Sequence, residues 1–200
     1  DTGSNFVLAT EKNFQNTDSL GSPYRSYFYV VGLLHDSDCI LRVGFRDFVL
    51  KKGTVTFVGP GLVRLWVKND WKAKNSTILF SPEFFKHPFH NNFLIEYGIF
   101  RSGINHTIQL TVSEYKYATS LLELIKNEDS DGRIKQGLVF SYLEFINFVY
   151  LRHWGKSISS NKNQNITNDF NKLLNTYYQE QKEVSFYAEK LNVSPKNLSE

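Results

Sequence analysis

The residues of this chain that could do chemistry are few and scattered. His87 and His90, in KHPFH, flank Pro88 and Phe89 at a spacing that can hold a transition metal, but no carboxylate accompanies them in a ligand pattern. His35 lies beside Asp36 and Asp38 in a turn-like stretch, and His106 and His153 have no evident companion. No metal site, resident cofactor or catalytic residue is therefore expected. Cys39 is the one cysteine, which excludes an internal disulfide and suits a reducing, cytoplasmic compartment. Placed in a strand-like run, it reads as a small buried residue rather than a nucleophile. No phosphate-cradling glycine loop or nucleophile elbow is present.

Two other sets of residues suit binding. Tyr27, Tyr29, Arg64 and Trp66 alternate within strand-like runs, so they could line the mouth of a small barrel as aromatic walls with one orienting charge. Ser194, Lys196 and Asn197 open a short helix near residue 200, where lysine can meet phosphate or guanine and asparagine can pair with adenine.

The elements that must position these residues follow from composition and pattern. With 41% hydrophobic residues, 17 Phe and 11 Tyr, the chain can bury a sizeable core. From about residue 24 to 113, runs such as YFYVVGLL, CILRVGFRDFVL, TVTFVG, VRLWV, STILFS, LIEYGIF and HTIQLTV alternate with turn signals, predicting a β-sandwich or barrel. The character then changes to helix. Ala118, Leu121, Leu122 and Ile125 form one apolar stripe, and the segment 133–154 is apolar nearly all round, so it must be covered on more than one side. Glu144 and Asn147 and its short apolar run argue against a membrane span. One face is expected to pack on the β domain, and Leu138, Tyr142, Phe145 and Val149 are expected to meet a second copy of the chain.

GKSISSNKNQN, 155–165, reads as a flexible linker. Beyond it Phe170, Leu173, Leu174, Tyr177 and Tyr178 stand at helical spacing. In VSFYAEKLNVSPKNLSE, Ser185 is expected to cap a helix with Val184 as its staple, Asn192 to turn the chain, and Ser194-Pro195 to start another helix. This spacing is that of a helix-turn-helix. The net charge of +3 lies in this half, where residues 133–200 hold nine Lys/Arg against six Asp/Glu. Five Asn-X-Ser/Thr triplets, at Asn75, Asn105, Asn165, Asn192 and Asn197, are attributed to an abundance of Asn, Ser and Thr.

The stretch FNKLLNTYYQEQKEVSFYAEKLNVSPKNLSE resembles the opening of the DNA-binding region of AraC-family transcriptional regulators. PYRSYFY, GFRDFVLKKGTVTFVGPGLVRLW and ILFSPEFF are similar, more weakly, to the cupin-like sensor domain that precedes it in that family. The resemblance implies a mixed fold, β then α. A cupin-like double-stranded β-helix (jelly-roll) barrel over 1–113 would be followed by a helical dimerisation segment over 114–154 and a linker over 155–166. Residues 167–200 would be the first part of the helix-turn-helix domain, with the chain ending inside its first unit. It also implies a homodimer, DNA as partner, and a small-molecule effector such as a sugar or another metabolite, with no enzyme activity. Where the family often reads Pro-His-X-His and Pro-Gly-X-X-His, this chain has Pro23-Tyr24-Arg25-Ser26 and Pro60-Gly61-Leu62-Val63-Arg64, so metal-binding positions are replaced. A cupin-fold enzyme with a helical appendage, or a dimer scaffold that senses nothing, are the alternatives.

Overall fold

The computed structural model describes residues 5–10, 21–36, 38–68, 74–85, 98–100, 105–158, 166, 169–170, 173, 177 and 180–199. It divides into two units, Asp1–His153 and Trp154–Glu200. His87 and His90 lie outside the described residues.

The described residues of the first unit form nine strands: β1 (Phe6–Thr10), β2 (Tyr24–Arg25), β3 (Tyr29–Leu34), β4 (Cys39–Val43), β5 (Arg46–Leu50), β6 (Thr54–Val58), β7 (Val63–Lys68), β8 (Asn75–Phe80) and β9 (Thr107–Gln109). They form two antiparallel sheets, one of five strands in the order β1-β8-β3-β6-β9 and one of four in the order β2-β7-β4-β5. Strands β1 and β2 were not foreseen. CILRVGFRDFVL is not one run but a hairpin, because Gly44 takes φ 59° at the first turn position, which only glycine adopts readily. LIEYGIF contributes no described strand; its last three residues form a single 3₁₀ turn.

Register assigns the sheet faces, since residues directly opposite each other across an antiparallel pair share a face. One face of the five-stranded sheet carries Tyr29, Val31, Leu33, Val55, Phe57, Ile78 and Phe80, paired across the strands. The other carries Leu34 and Val58, which pack into one core cluster with Cys39, Leu41, Val43 and Leu50 of the four-stranded sheet. That second face therefore looks into the space between the sheets. Cys39 is buried there, as its sequence context suggested.

Helix α1 (Val112–Asn127) begins earlier than the alternation of HTIQLTV predicts. The Thr111 hydroxyl accepts from the Glu114 amide, and the Glu114 carboxylate accepts from the Thr111 amide, which is a complete capping box. Ala118, Leu122 and Ile125 are buried as expected. Helix α2 (Gly132–Ile158) extends four residues into the stretch predicted as linker. The Tyr150 ring meets the edge of Phe57 at 5.2 Å, which places α2 on the outer face of the five-stranded sheet.

This packing corrects the expected dimer face. Tyr142 and Val149 are 0% and 1% exposed, and with Val139, Leu143, Ile146 and Tyr150 they form the buried side of α2 within the same chain. An all-round apolar pattern does not say which side the sheet takes. The sheet takes this one, and burial drives the Tyr142 phenol well above its ordinary pKa. Leu138 and Phe145 are half-buried, and Phe145 meets Tyr117 of α1 at 6.3 Å. The exposed apolar side chains are Ile134, Phe148, Leu151 and Trp154 on α2 with Val112, Tyr117 and Leu124 on α1. No helix among the described residues is long and apolar enough to cross a membrane.

In the second unit the described residues of the preceding segment, Ile166, Asp169, Phe170, Leu173 and Tyr177, are helical. Helix α3 (Val184–Lys190) follows, then α4 (Pro195–Ser199). The first turn of α3 differs from expectation: Glu183 is the cap residue, with no side-chain cap bond, and Val184 and Ser185 are already helical. The turn after α3 is as expected. Asn192 has φ 52°, its amide donates to the Glu189 carbonyl, and the Val193 amide donates to the Ala188 carbonyl. These two bonds close a Schellman motif on an asparagine that tolerates the left-handed region. Ser194 then caps α4 by accepting from the Asn197 amide, with Pro195 at the first helical position.

Candidate functional site between the sheets

The inner face of the four-stranded sheet is built in rows. Phe48, Leu41 and Trp66 oppose one another across β5, β4 and β7, and the next row is Arg46, Val43, Arg64 and Tyr24, crossing all four strands. Apolar side chains fill the first row and two guanidinium groups occupy the second. Arg64 is 7% exposed, its Cζ lies 4.7 Å from the Tyr24 ring centroid, and its buried Nε has no hydrogen-bond partner. Among the described residues no carboxylate pairs with it. Burial pulls its pKa below the ordinary arginine value, with Tyr24 opposing the shift.

The facing surface of the five-stranded sheet carries a hydroxyl row. Ala9, Thr77, Gly32, Thr56 and Thr107 are register partners across all five strands. Thr56 and Thr77 are buried, and a Cβ added at Gly32 would stand 3.0 and 3.1 Å from their hydroxyl oxygens. Glycine at this position lets the two hydroxyls converge.

Of the predicted ligand residues, the structure brings Arg64 and Trp66 to the inner face and separates the two tyrosines from them. Tyr27 is 88% exposed. Tyr29 lies on the outer face of its sheet, stacked on Phe80 at 5.2 Å and edge-on to Phe100 at 4.8 Å. Burial first, then the Glu83 charge, raises its phenol pKa. Alternation within a run gives the period but not which face is inner. Tyr24, Arg46, Thr56 and Thr77 were missed because only pairing register gathers them. Tyr24 and Arg64 stand where the family resemblance would put histidines, and they are direct cross-strand partners.

His35 and His106 have structural partners. His35 Nδ1 lies 2.8 Å from the Tyr115 hydroxyl of α1 and its Nε2 lies 2.8 Å from the Ser76 hydroxyl of β8. His106 is buried, its Nδ1 donates to the Phe57 carbonyl at 3.0 Å, and its ring meets Phe48 of the other sheet edge-on. Burial lowers the His106 pKa, the Phe57 carbonyl opposes this, and the Arg46 charge lowers it further. No group of three or more His, Cys, Asp or Glu able to hold a metal occurs among the described residues.

His106 gives stability a pH dependence. A histidine whose folded pKa lies below its unfolded value of 6.5 contributes stability above that pH and loses it as pH falls. Acidification from pH 7.5 to 5.5 should therefore lower the unfolding free energy measured in urea, by up to about 1.4 kcal/mol per pH unit from this one group. His106→Asn, which can still donate to Phe57, should flatten that part of the profile. Identical profiles for the two proteins would remove His106 as the cause.

At its second unit the protein presents Ser194, Lys196 and Asn197, all exposed, at the leading end of α4, behind buried Tyr187 and Ala188. The described residues thus comprise two antiparallel sheets, two long helices and, in the second unit, two short helices joined by a tight turn. No family model matches the chain, and no curated protein matches it. Several solved structures of AraC-like regulators are similar to it. The AraC-like transcriptional activator CuxR has 9% identity and a TM-score of 0.45, covering 85% of this chain, which spans 58% of CuxR's length. ToxT from Vibrio cholerae O395 has 10% identity and a TM-score of 0.48, with 98% of this chain and 72% of that one covered. ToxT of strain SCE256, solved with an unsaturated fatty acid bound, has 7% identity and a TM-score of 0.47, with 100% and 73% covered.

Proposed function

We propose that this chain belongs to a cytoplasmic bacterial transcription regulator of AraC type and is not an enzyme. The two sheets form a cupin-like jelly-roll sensor over residues 1–113 for a small molecule such as a sugar or another metabolite. Residues 114–154 form the dimerisation segment, and 167–200 carry DNA-reading helices. The segment between them is shorter than the sequence suggests, since α2 continues to Ile158. The observation that carries this reading is the join of α3 to α4. A Schellman turn on Asn192 and a serine cap fix the second helix, leaving Ser194, Lys196 and Asn197 exposed at the end that a recognition helix inserts into the major groove.

The homodimer uses the corrected face, Ile134, Leu138, Phe145 and Phe148 on α2 with Tyr117 and Leu124 on α1. Apolar side chains of two adjacent helices meet there, through the Tyr117–Phe145 contact, without a covering element among the described residues. Phe148→Glu should sediment as a folded monomer.

The decisive experiment is selection from a random duplex library with the protein that carries this chain. A defined sequence should be enriched, and Asn197→Ala should relax preference at one base position at a cost of about 1 to 3 kcal/mol, while Lys196→Ala weakens binding to all sequences. Absence of any enriched sequence would count against the regulator reading.

A further inference from the structure

We infer that the space between the sheets takes an anionic small molecule, one whose carboxylate or phosphate group is held by Arg64 and Arg46. This rests on the sensor reading and narrows its ligand class. The two arginines lie in one cross-strand row, Arg46-Val43-Arg64-Tyr24, with only Val43 between them. Two strand spacings, about 10 Å, separate their backbones, and register puts both on the same face, Arg64 buried and Arg46 exposed on the edge strand β5.

Three observations separate this row from an ordinary core. A buried guanidinium without a carboxylate is costly, because its charge has left water with no opposite charge to replace the lost hydration. Arg64 is in that condition: it meets an aromatic face, its Nε is orphaned, and no described carboxylate is within ion-pairing distance. The only acid adjacent in sequence on this hairpin, Asp47, points to the outer face, where Arg42 binds it at 2.5 and 2.8 Å. Among the described residues the inner row thus has no carboxylate partner, whereas Arg42 is paired with Asp47 on the outer face.

The remaining polar groups suit the same occupant. An arginine presents its donors in a planar fork that matches carboxylate and phosphate oxygens. Thr56 and Thr77 place hydroxyls on the facing sheet over Gly32, where they donate to the Gly32 carbonyl and to Asn75 Oδ1 and would turn toward an anion by rotation about the C–O bond. Trp66, one step along β7 on the same face, supplies an aromatic wall and an indole that reports on occupancy. Tyr24 holds the Arg64 guanidinium from the side, so it is a positioning residue.

The test is NMR of the full 15N-labelled chain, following the Arg64 Nε–Hε resonance, which is assigned by its loss in Arg64→Lys. Inorganic phosphate, succinate, benzoate and uncharged glucose are titrated at constant ionic strength set with sodium chloride. The expected result is a saturable shift with at least one of the three anions, and at least tenfold weaker affinity in Arg64→Lys by Trp66 fluorescence. Saturation by phosphate alone assigns a phosphate ligand; saturation by succinate or benzoate assigns a carboxylate. Tyr24→Leu, which removes the ring under Arg64, is the second variant, expected to fold normally and bind the anion severalfold more weakly. Saturation by glucose with no anion effect would overturn the anionic class and leave the sensor reading standing. No saturable shift with any compound would overturn the site itself, and the regulator reading would still be decided by the DNA selection.

Discussion

Phe57→Ala should lower the unfolding free energy by about 3 to 5 kcal/mol, most of the stability of a typical domain at the lower end of its range. Phe57 is fully buried on the outer face of the five-stranded sheet, where its ring meets Tyr150 of α2 edge-on at 5.2 Å. Its neighbours on that face, Val31 and Val55, belong to strands locked on both sides. The cavity left by the ring cannot collapse unless α2 moves, so the transfer and cavity costs add. Urea denaturation measures the loss directly. The same variant should reduce helix protection in hydrogen exchange over 139–150 more than strand protection in the four-stranded sheet. A loss under 1 kcal/mol would mean that α2 does not rest on this sheet.

Glu114→Ala should cost about 2 to 4 kcal/mol, because one carboxylate does two jobs. One oxygen accepts from the Thr111 amide at 2.8 Å and completes the capping box of α1, a contribution of about 1 kcal/mol. The other forms an ion pair with Arg152 near the far end of α2, contributing about 1 to 3 kcal/mol, between the values for surface and buried pairs. Glu114 is buried although Arg152 is half exposed, so the pair sits between a surface ion pair and a core one. Glu114→Gln separates the two effects: the amide oxygen can still cap Thr111 while the charge facing Arg152 is lost. Equal midpoints for the Gln variant and wild type would assign the whole effect to the cap.

The order of elements was legible from local chemistry. Most β-branched and aromatic runs became strands, LIEYGIF contributing none among the described residues; Ala118, Leu122 and Ile125 became the buried stripe of α1, and Asn192 and Ser194 adopted the turn and cap roles that their side chains suit. Faces were another matter. Tyr29 and Arg64 both alternate correctly, yet one looks outward to Phe80 and the other inward to Val43, because the inner side is set by which sheet covers the strand. Tyr142 and Val149 failed as interface residues for the same reason. The candidate site is assembled by register across seven strands, and no spacing along the chain encodes the adjacency of Arg46, Arg64 and Tyr24.

The His35 clasp has a consequence for transmission between sheet and helix. Both of its partners, Ser76 and Tyr115, are hydroxyls, and a hydroxyl can give or take a hydrogen bond by rotating about its C–O bond. Either neutral tautomer of the ring therefore finds two satisfied contacts with no heavy atom displaced. The tie joins β8 to α1 through the residue that follows β3, so a shift of either strand is handed to the helical pair.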